Sequence, residues 1–463
     1  MTHLGLFVDF GSTYTKTTAV DLESVEIIGR AQGPSTVQSD ITIGLNMALE
    51  NLKRQVGHSV LFDVRLACSS AAGGLKMVTI GLVPEMTSRA AHFAALGAGA
   101  KVTGIFSYHI TLADIATLHA LSPDVILLAG GTDGGNREVI VENARQLVSA
   151  NVRCPIIVAG NREARTEIEQ ILSNAEIEMV VTDNVMPEIN RLNIEPAREA
   201  IRNVFLNHIV HAKGIDRAST FVRVVMPTPT AVLEAAKVLA EGAKGVPGIG
   251  DLVLVDVGGA TTDIHSVGDG RPSRPEVIYR GLPEPYLKRT VEGDLGLRHN
   301  AESILTAVGD SELAVHSTVS SDRVKKYVRE VATSAAYVPQ TPEETRMDYA
   351  LAKSAIEIAI TRHAGRLDVV YTAVGQSVVQ YGKDLSQAHA LIGTGGVFAA
   401  NSAEMARELL IAATKRPSDG MRLKPESPVL YVDKPYGLFV AGLLSTIDRP
   451  KAAILAKKCL RVV

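Results

Sequence analysis

A chain of 463 residues, 46% hydrophobic and 21% charged, is long enough to bury more than one core and to divide into two to four domains. Its formal net charge of -3 excludes a broad electropositive field, so neither nucleic acid nor an anionic membrane is an expected partner. Cys68, Cys154 and Cys459 lack the spacing of a zinc site or a disulfide framework, which points to a reducing cytoplasm. No apolar run approaches the roughly 20 residues of a membrane-spanning helix, and the chain runs from Met1 into an apolar strand without a basic or cleavable leader.

In chain order, Leu6 to Phe10 and Thr17 to Val20 read as strand, turn, strand. Thr42 to Leu52 has helical periodicity, Val64 to Ala67 is strand-like and Glu85 to Leu96 is an Ala-rich helix. From Asp124 the alternation sharpens: strand Val125 to Leu128, helix Arg137 to Ala150, strand Pro155 to Val158, helix Glu163 to Leu172, strand Ile177 to Val181. Such alternation predicts parallel βαβ units. A helical stretch from Glu195 to Ala212 follows, then Thr228-Pro229 as N-cap and first residue of a helix through Leu239. Gly242 to Gly250 reads as a linker before a new domain. Leu252 to Asp256 and Thr261 to Val267 then repeat the opening theme, Val369 to Val374 reads as a buried strand, and Ala390 to Ile392 leads into a Gly cluster and a helix from Val397 to Leu410.

Three segments carry candidate chemistry. The first is Asp9-Phe10-Gly11-Ser12-Thr13-Tyr14-Thr15-Lys16: a strand-end carboxylate suited to hydrated Mg²⁺, then a Gly and hydroxyl turn suited to phosphate. An ordinary β-hairpin accounts for it equally well when it is taken alone. The second is Asp256-Val257-Gly258-Gly259-Ala260-Thr261-Thr262-Asp263, in which adjacent glycines admit a phosphate and the threonines add hydroxyls; a tight hairpin with Asp263 in solvent is the plain alternative. The third, Gly393-Thr394-Gly395-Gly396, joins a strand to a helix without side chains that would collide with a flat ligand. Two further segments have weaker readings. The turn Gly130-Gly131-Thr132-Asp133-Gly134-Gly135 is an anion site or, with better odds, a structural crossing or partner surface. In Lys288 to Arg298, Glu292 or Asp294 would orient water and Arg289 would meet a phosphate, against a solvated surface.

In this order the three Asp and Gly segments resemble the phosphate 1, phosphate 2 and adenosine signatures of the sugar kinase, heat-shock chaperone and actin superfamily. The resemblance implies an α/β actin-like ATPase fold of two ribonuclease H-like domains flanking a nucleotide cleft, with an inserted α/β subdomain. It implies ATP and Mg²⁺ as cofactors, Asp9 and Asp256 holding the metal through water, Gly11, Ser12, Thr13, Lys16, Gly258, Gly259 and Thr261 at the phosphates, and Gly393, Gly395 and Gly396 at adenosine. The expected boundaries are 1–131 for the first domain, completed by 427–463, then 132–200 for the insertion, 201–250 for a helical connector and 251–426 for the second domain.

Longer strings narrow the resemblance. Asp9 to Lys16, Ser69-Ser70-Ala71-Ala72-Gly73-Gly74-Leu75, Ala94-Ala95-Leu96-Gly97-Ala98-Gly99-Ala100, the Gly130 turn and the Arg289 segment resemble the glutamate mutase accessory protein family of MutL or GlmL type. Membership implies a cytoplasmic ATP-dependent accessory or reactivating chaperone, forming a homo-oligomer or not, whose partner is an adenosylcobalamin-dependent mutase, glutamate mutase or an amino-acid aminomutase, relieved of damaged cobalamin. The chain has no Asp-x-His-x-x-Gly string of the base-off cobalamin type. The alternatives are a metabolite kinase of the same superfamily, a nucleotide-dependent cytoskeletal scaffold, and the iron-sulfur activator of 2-hydroxyacyl-CoA dehydratases, whose cluster motifs Cys68 and Cys154 do not match.

Overall fold

The computed structural model describes residues 3–11, 13–36, 39–70, 75–209, 218, 221–334, 337–372, 375–416 and 420–463. They form a first unit, Met1–Ala231 with Gly281–Pro285, and a second, Val232–Arg280 with Tyr286–Val463.

In the first unit, β1 (Leu4–Phe10) is buried along its whole length, as an apolar run with only Asp9 to interrupt it must be. Next come β2 (Tyr14–Asp21), β3 (Glu26–Pro34), α1 (Ile41–Val56) and β4 (Val64–Ser69). Asp40 caps α1 by accepting from the Thr42 N–H, and Ile41, Leu45, Ala48 and Leu52 form its buried stripe. The chain then builds β5 (Lys76–Gly81), α2 (Arg89–Gly97), β6 (Lys101–Ser107), α3 (Leu112–Leu121), β7 (Val125–Leu128), α4 (Glu138–Ser149), β8 (Ile156–Val158), α5 (Arg165–Asn174), β9 (Met179–Val181) and α6 (Glu195–Ile209). It returns through β10 (Arg223–Pro227) to α7 (Thr228–Glu241).

Two sheets result, in the orders β10-β4-β1-β2-β3 and β6-β5-β7-β8-β9. Every pairing in the second is parallel, as the βαβ rhythm predicted. Its strand order is the flavodoxin-like one.

The second unit contains β11 (Gly242–Ala243), β12 (Val246–Pro247), β13 (Leu252–Val257), β14 (Thr262–Val267), β15 (Val277–Arg280) and β16 (Leu287–Glu292). Helices α8 (Ala301–Val308), α9 (Asp310–Ser317), α10 (Ser321–Ala332) and α11 (Pro342–His363) follow. Thr341 and Glu344 form a capping box on α11, with Pro342 in its first turn. The chain closes with β17 (Arg366–Thr372), β18 (Gly375–Tyr381), β19 (Ala390–Thr394), α12 (Gly396–Ala400), α13 (Ala403–Thr414), β20 (Val429–Asp433), α14 (Leu438–Leu444), α15 (Arg449–Cys459) and β21 (Leu460–Val462).

Its main sheet has the order β16-β14-β13-β19-β20-β21. The first five strands repeat β3-β2-β1-β4-β10 in order and in sense: two antiparallel pairings, then two parallel ones. The fold is therefore α/β with two ribonuclease H-like sheets.

Several boundaries differ from those the sequence suggested. The inserted parallel sheet begins at Lys76, well before residue 132, because β5, paired between β6 and β7, is its first strand in the chain. Residues 427–463 do not complete the first sheet: β20 and β21 pair onto the second. The division between the units falls inside α7, after Ala231, and Gly242 to Gly250 is only a small hairpin and its flank within the second unit. Strand β17, expected to be buried, leaves Val369 42% and Tyr371 80% exposed. Val374, the end of that expected strand, lies outside the described residues, as do Ser12 and Val210 to Ala212.

The Ala94 to Ala100 string has a geometric reason. Gly99 closes α2 in the left-handed region, at φ 88°, and an added Cβ there would lie 2.6 Å from Thr230 Oγ1 and 2.7 Å from Pro227 Cβ. Thr230 Oγ1 donates to the Ala98 carbonyl at 2.9 Å, seating the first turn of α7 on this glycine turn. Replacing Gly99 by Ala is expected to destabilise the fold by about 1–3 kcal/mol, read as a lower thermal unfolding midpoint, because a left-handed backbone and a clash are imposed together.

Candidate functional site

Asp9 ends β1 and is 2% exposed. A carboxylate this deep needs donors, and the structure supplies them from three elements. Thr228 Oγ1, at the start of α7, donates to Oδ1 at 2.6 Å; Lys16 Nζ, directly opposite on β2, lies 3.7 Å from Oδ2; and Cys68 Sγ on β4 is 3.7 Å from Oδ1. Burial and the neighbouring Asp9 charge push the Cys68 thiol well up, so it stays protonated. The hairpin is tight: the Gly11 N–H donates to the Tyr14 carbonyl at 3.1 Å, and the Thr13 carbonyl accepts from the Ser35 N–H at 2.9 Å. Ser12 lies outside the described residues.

The second hairpin repeats this construction. Asp256 occupies the register position of Asp9, with Asp263 opposite it on β14 where Lys16 stands opposite Asp9. The Gly258 N–H donates to the Thr261 carbonyl at 2.9 Å, as Gly11 does to Tyr14. The hairpin's carbonyls are consumed from outside: Gly258 accepts from Leu297 N–H, Gly259 from Arg298 and His299 N–H, and Ala260 from Asn300 Nδ2. The N–H groups of Gly259 and Ala260 have no acceptor among the described residues, so the turn presents donors. Such a half-buried row of donors fits an anion.

The third segment joins the second within this unit. Thr394 lies beside Asp256 in the β13–β19 register, and a Cβ on Gly395, at φ 102°, would meet the Val257 carbonyl oxygen and lie 3.0 Å from Asp256 Oδ1. Gly393 is needed for another reason, since its Cβ would lie 2.6 Å from the Phe398 ring. Gly396 faces open space. Asp256, Gly258, Gly259, Thr261 and Gly395 thus form one locality of the second unit, while Asp9, Gly11, Thr13 and Lys16 form another in the first.

Sequence reasoning missed two carboxylates. Asp263 is 6% exposed, not solvated, and Arg289 grips its Oδ2 through Nε at 3.1 Å and Nη2 at 2.7 Å. Its Oδ1 is buried with no hydrogen-bond partner among the described residues. Asp433, 1% exposed, accepts from Thr394 Oγ1 and from the N–H groups of Gly437 and Leu438, so it ties the start of α14 to the third glycine segment. The only signal for it was an Asp closing a short Val, Leu and Tyr run a few residues before a helix.

The charged side chains of the Arg289 segment are paired with other elements, and Lys288, Arg289, Glu292 and Arg298 are buried, while Asp294 stays partly exposed. Glu292 and Asp294 both accept from Arg362, Arg298 forms two bonds to Asp348, and Lys288 Nζ donates to the His363 carbonyl. Burial pushes the Glu292 carboxyl up despite Arg362, whereas Arg362 holds Asp294 below its usual range. Arg289 is committed to Asp263. The Gly130 turn is a structural crossing: Asn161 Nδ2 donates to the Gly135 and Asn136 carbonyls, Asn184 Nδ2 to Gly131, and Asn136 Oδ1 accepts from the Val139 N–H at the head of α4.

Two predictions follow from this electrostatics. Arg289→Met strands a buried charge on Asp263 and is expected to cost about 3–5 kcal/mol in chemical denaturation, much of it regained in the Asp263→Leu/Arg289→Met double variant. His265, fully buried beside Arg289 with both ring nitrogens unpartnered among the described residues, is pushed by burial down to about 3. The unfolded chain takes up this proton first, near its ordinary pKa of about 6.5, so stability is lost as pH falls from there toward 3. His265→Phe should shrink the difference in melting temperature between pH 7 and pH 5.

The MutL protein family model matches residues 5–460. Protein MutL of Clostridium tetanomorphum is 48% identical over 457 residues, covering 98% of each chain. Among solved structures, ethanolamine utilization protein EutJ from Carboxydothermus hydrogenoformans aligns over 95% of this chain and 88% of its own at 12% identity and a TM-score of 0.29. Xylulose kinase from Bifidobacterium adolescentis aligns over 100% and 96% at 13% identity and a TM-score of 0.34. The strand order, not these two similarities, carries the fold assignment. By its match along nearly the whole length, the chain belongs to the MutL protein family, the family its motifs resemble.

Proposed function

We propose that this chain is an ATP-dependent accessory protein of an adenosylcobalamin-dependent mutase, glutamate mutase or an amino-acid aminomutase, and acts in the cytoplasm to drive release of damaged cobalamin. The observation that carries the ATP reading is the duplicated element: a strand-end aspartate followed two residues later by a glycine whose N–H closes the hairpin, once at Asp9 and once at Asp256. Family membership carries the partner.

The residues fit a magnesium nucleotide. Asp9 in the first unit and Asp256 in the second each have the chemistry to hold such a metal through water, the N–H groups of Gly259 and Ala260, without an acceptor among the described residues, suit phosphate oxygens, and Gly395 leaves room that a Cβ would fill. The bound metal would neutralise phosphate charge. The chain's own part is orientation: Thr228 and Lys16 fix the Asp9 carboxylate, and the Asp263–Arg289 pair sets the charge beside Asp256. Catalysis of this kind depends on positioning more than on covalent chemistry.

Asp256→Ala is expected to abolish both ATP turnover and recovery of inactivated mutase while leaving the circular dichroism spectrum and melting temperature near wild type. Full recovery of mutase by this variant would reject the mechanism. A turnover stimulated by a sugar or an organic acid rather than by a mutase would favour a metabolite kinase.

A further inference from the structure

Away from the Asp256 locality, the second unit holds a cavity of about 490 Å³ between α11 and the chain that follows α13, lined among others by Glu357, Arg362, Lys415, Arg416 and Lys424. Three features of its lining are unusual together. Lys424 is only 3% exposed, yet its ammonium has no hydrogen-bond or ion-pair partner among the described residues. Arg416 spends Nη1 on Glu426 and Nη2 on the Lys424 carbonyl, but its Nε–H is buried without an acceptor. Glu357 Oε1 is likewise buried without a donor.

A buried donor without an acceptor is costly, as at Arg416 Nε, and the Lys424 ammonium ends an almost wholly covered side chain with no counter-charge in contact among the described residues. Arg362 is already engaged by Glu292 and Asp294, so it tightens the wall without cancelling Lys424. Glu357, the acid lining the cavity, is not within ion-pair distance of Lys424. A small anion would answer Lys424 and Arg416 Nε at once, and a donor group on it would answer Glu357.

We infer that this cavity is a binding site for a small oxyanion, a phosphate or a carboxylate, held by Lys424 and Arg416 with Lys415 at its mouth. It is separate from the nucleotide locality: Gly395 precedes α12, Lys415 follows α13, and the twelve residues of α13 alone span about 18 Å. An anion bound here would sit between α11 and the segment that follows α13.

The probes are inorganic phosphate and acetate, titrated into the full chain at constant ionic strength with sodium chloride as the balancing salt. Saturable binding is expected by calorimetry for at least one of them, with a rise in melting temperature of about 2–4 °C near saturation. The preferred probe separates a tetrahedral phosphate site from a planar carboxylate one. Lys424→Met should remove the saturable signal, and Lys415→Gln, at an exposed position, should weaken affinity about threefold. Glu357→Gln should retain binding.

Burial pushes Lys424 down to about 8, with Arg422 and Lys415 adding to the effect and Glu357 opposing it. The charged groups facing it are Glu357 and Arg362 from α11, Lys415 and Arg416 beyond α13, and Arg422 on its own segment. Acetate keeps its charge across this range, so its affinity is expected to fall about tenfold between pH 7 and pH 9 as Lys424 loses its proton. No saturable binding of either anion to wild type, or a signal unchanged in Lys424→Met, overturns the inference. In the first case Lys424 is a buried structural lysine, and in the second the response is a general salt effect.

Discussion

Two aspartates stand directly opposite each other in β13 and β14, a cross-strand arrangement that like charges normally forbid. Arg289 makes it tenable by binding Asp263 with two hydrogen bonds from the neighbouring β16. Much else in the second unit serves to hold β16 where Arg289 can do this. Lys288 is tied to the end of α11, Glu292 to Arg362 on the same helix, and Arg298, just beyond the strand, to Asp348. The result is a half-buried Asp256 next to a compensated charge.

The first unit meets the same structural requirement by another route. Where Asp263 faces Asp256, Lys16 faces Asp9, so opposite charges stand across the hairpin and no arginine from a third strand is needed. The compensation is weaker in contact, at 3.7 Å and partly exposed, and Thr228 supplies the short bond instead. Two copies of one fold have therefore solved the burial of a strand-end carboxylate differently. The two hairpins differ at the position opposite the aspartate and share the Asp-x-Gly turn.

The turns were the most legible part of the sequence. Asp9, Gly11, Asp256, Gly258 and Gly395 are each explained by local backbone needs, a strand end or a forbidden Cβ, and local needs leave local patterns. The regular βαβ run was also readable, with β7 at Val125–Leu128 as expected and α4 within one residue at each end. What could not be read depended on distant partners. Nothing near Asp263 announces Arg289, 26 residues away, and Asp433 acquires its role only by meeting Thr394, 39 residues before it. The strands β10 and β20 escaped notice for the same reason: each is short and joins a sheet begun far upstream. An exposed Val and Tyr run, β17, passed for a buried one because periodicity cannot separate an edge strand from a core strand.

Helix α7 is fastened to the Asp9 carboxylate by a hydrogen bond from its first residue. Its first residue, Thr228, donates the 2.6 Å bond to Asp9, Thr230 is anchored on the glycine turn at Ala98, and from Val232 onward the helix belongs to the second unit. The far end is fixed too, since the Ile249 and Gly250 N–H groups donate to the Leu239 and Ala240 carbonyls. A helix is stiff along its axis because each turn is hydrogen-bonded to the next. Displacing the Asp9 carboxylate therefore requires either breaking the short, charge-assisted bond from Thr228 or moving the first turn of α7, which Thr230 holds on the glycine turn.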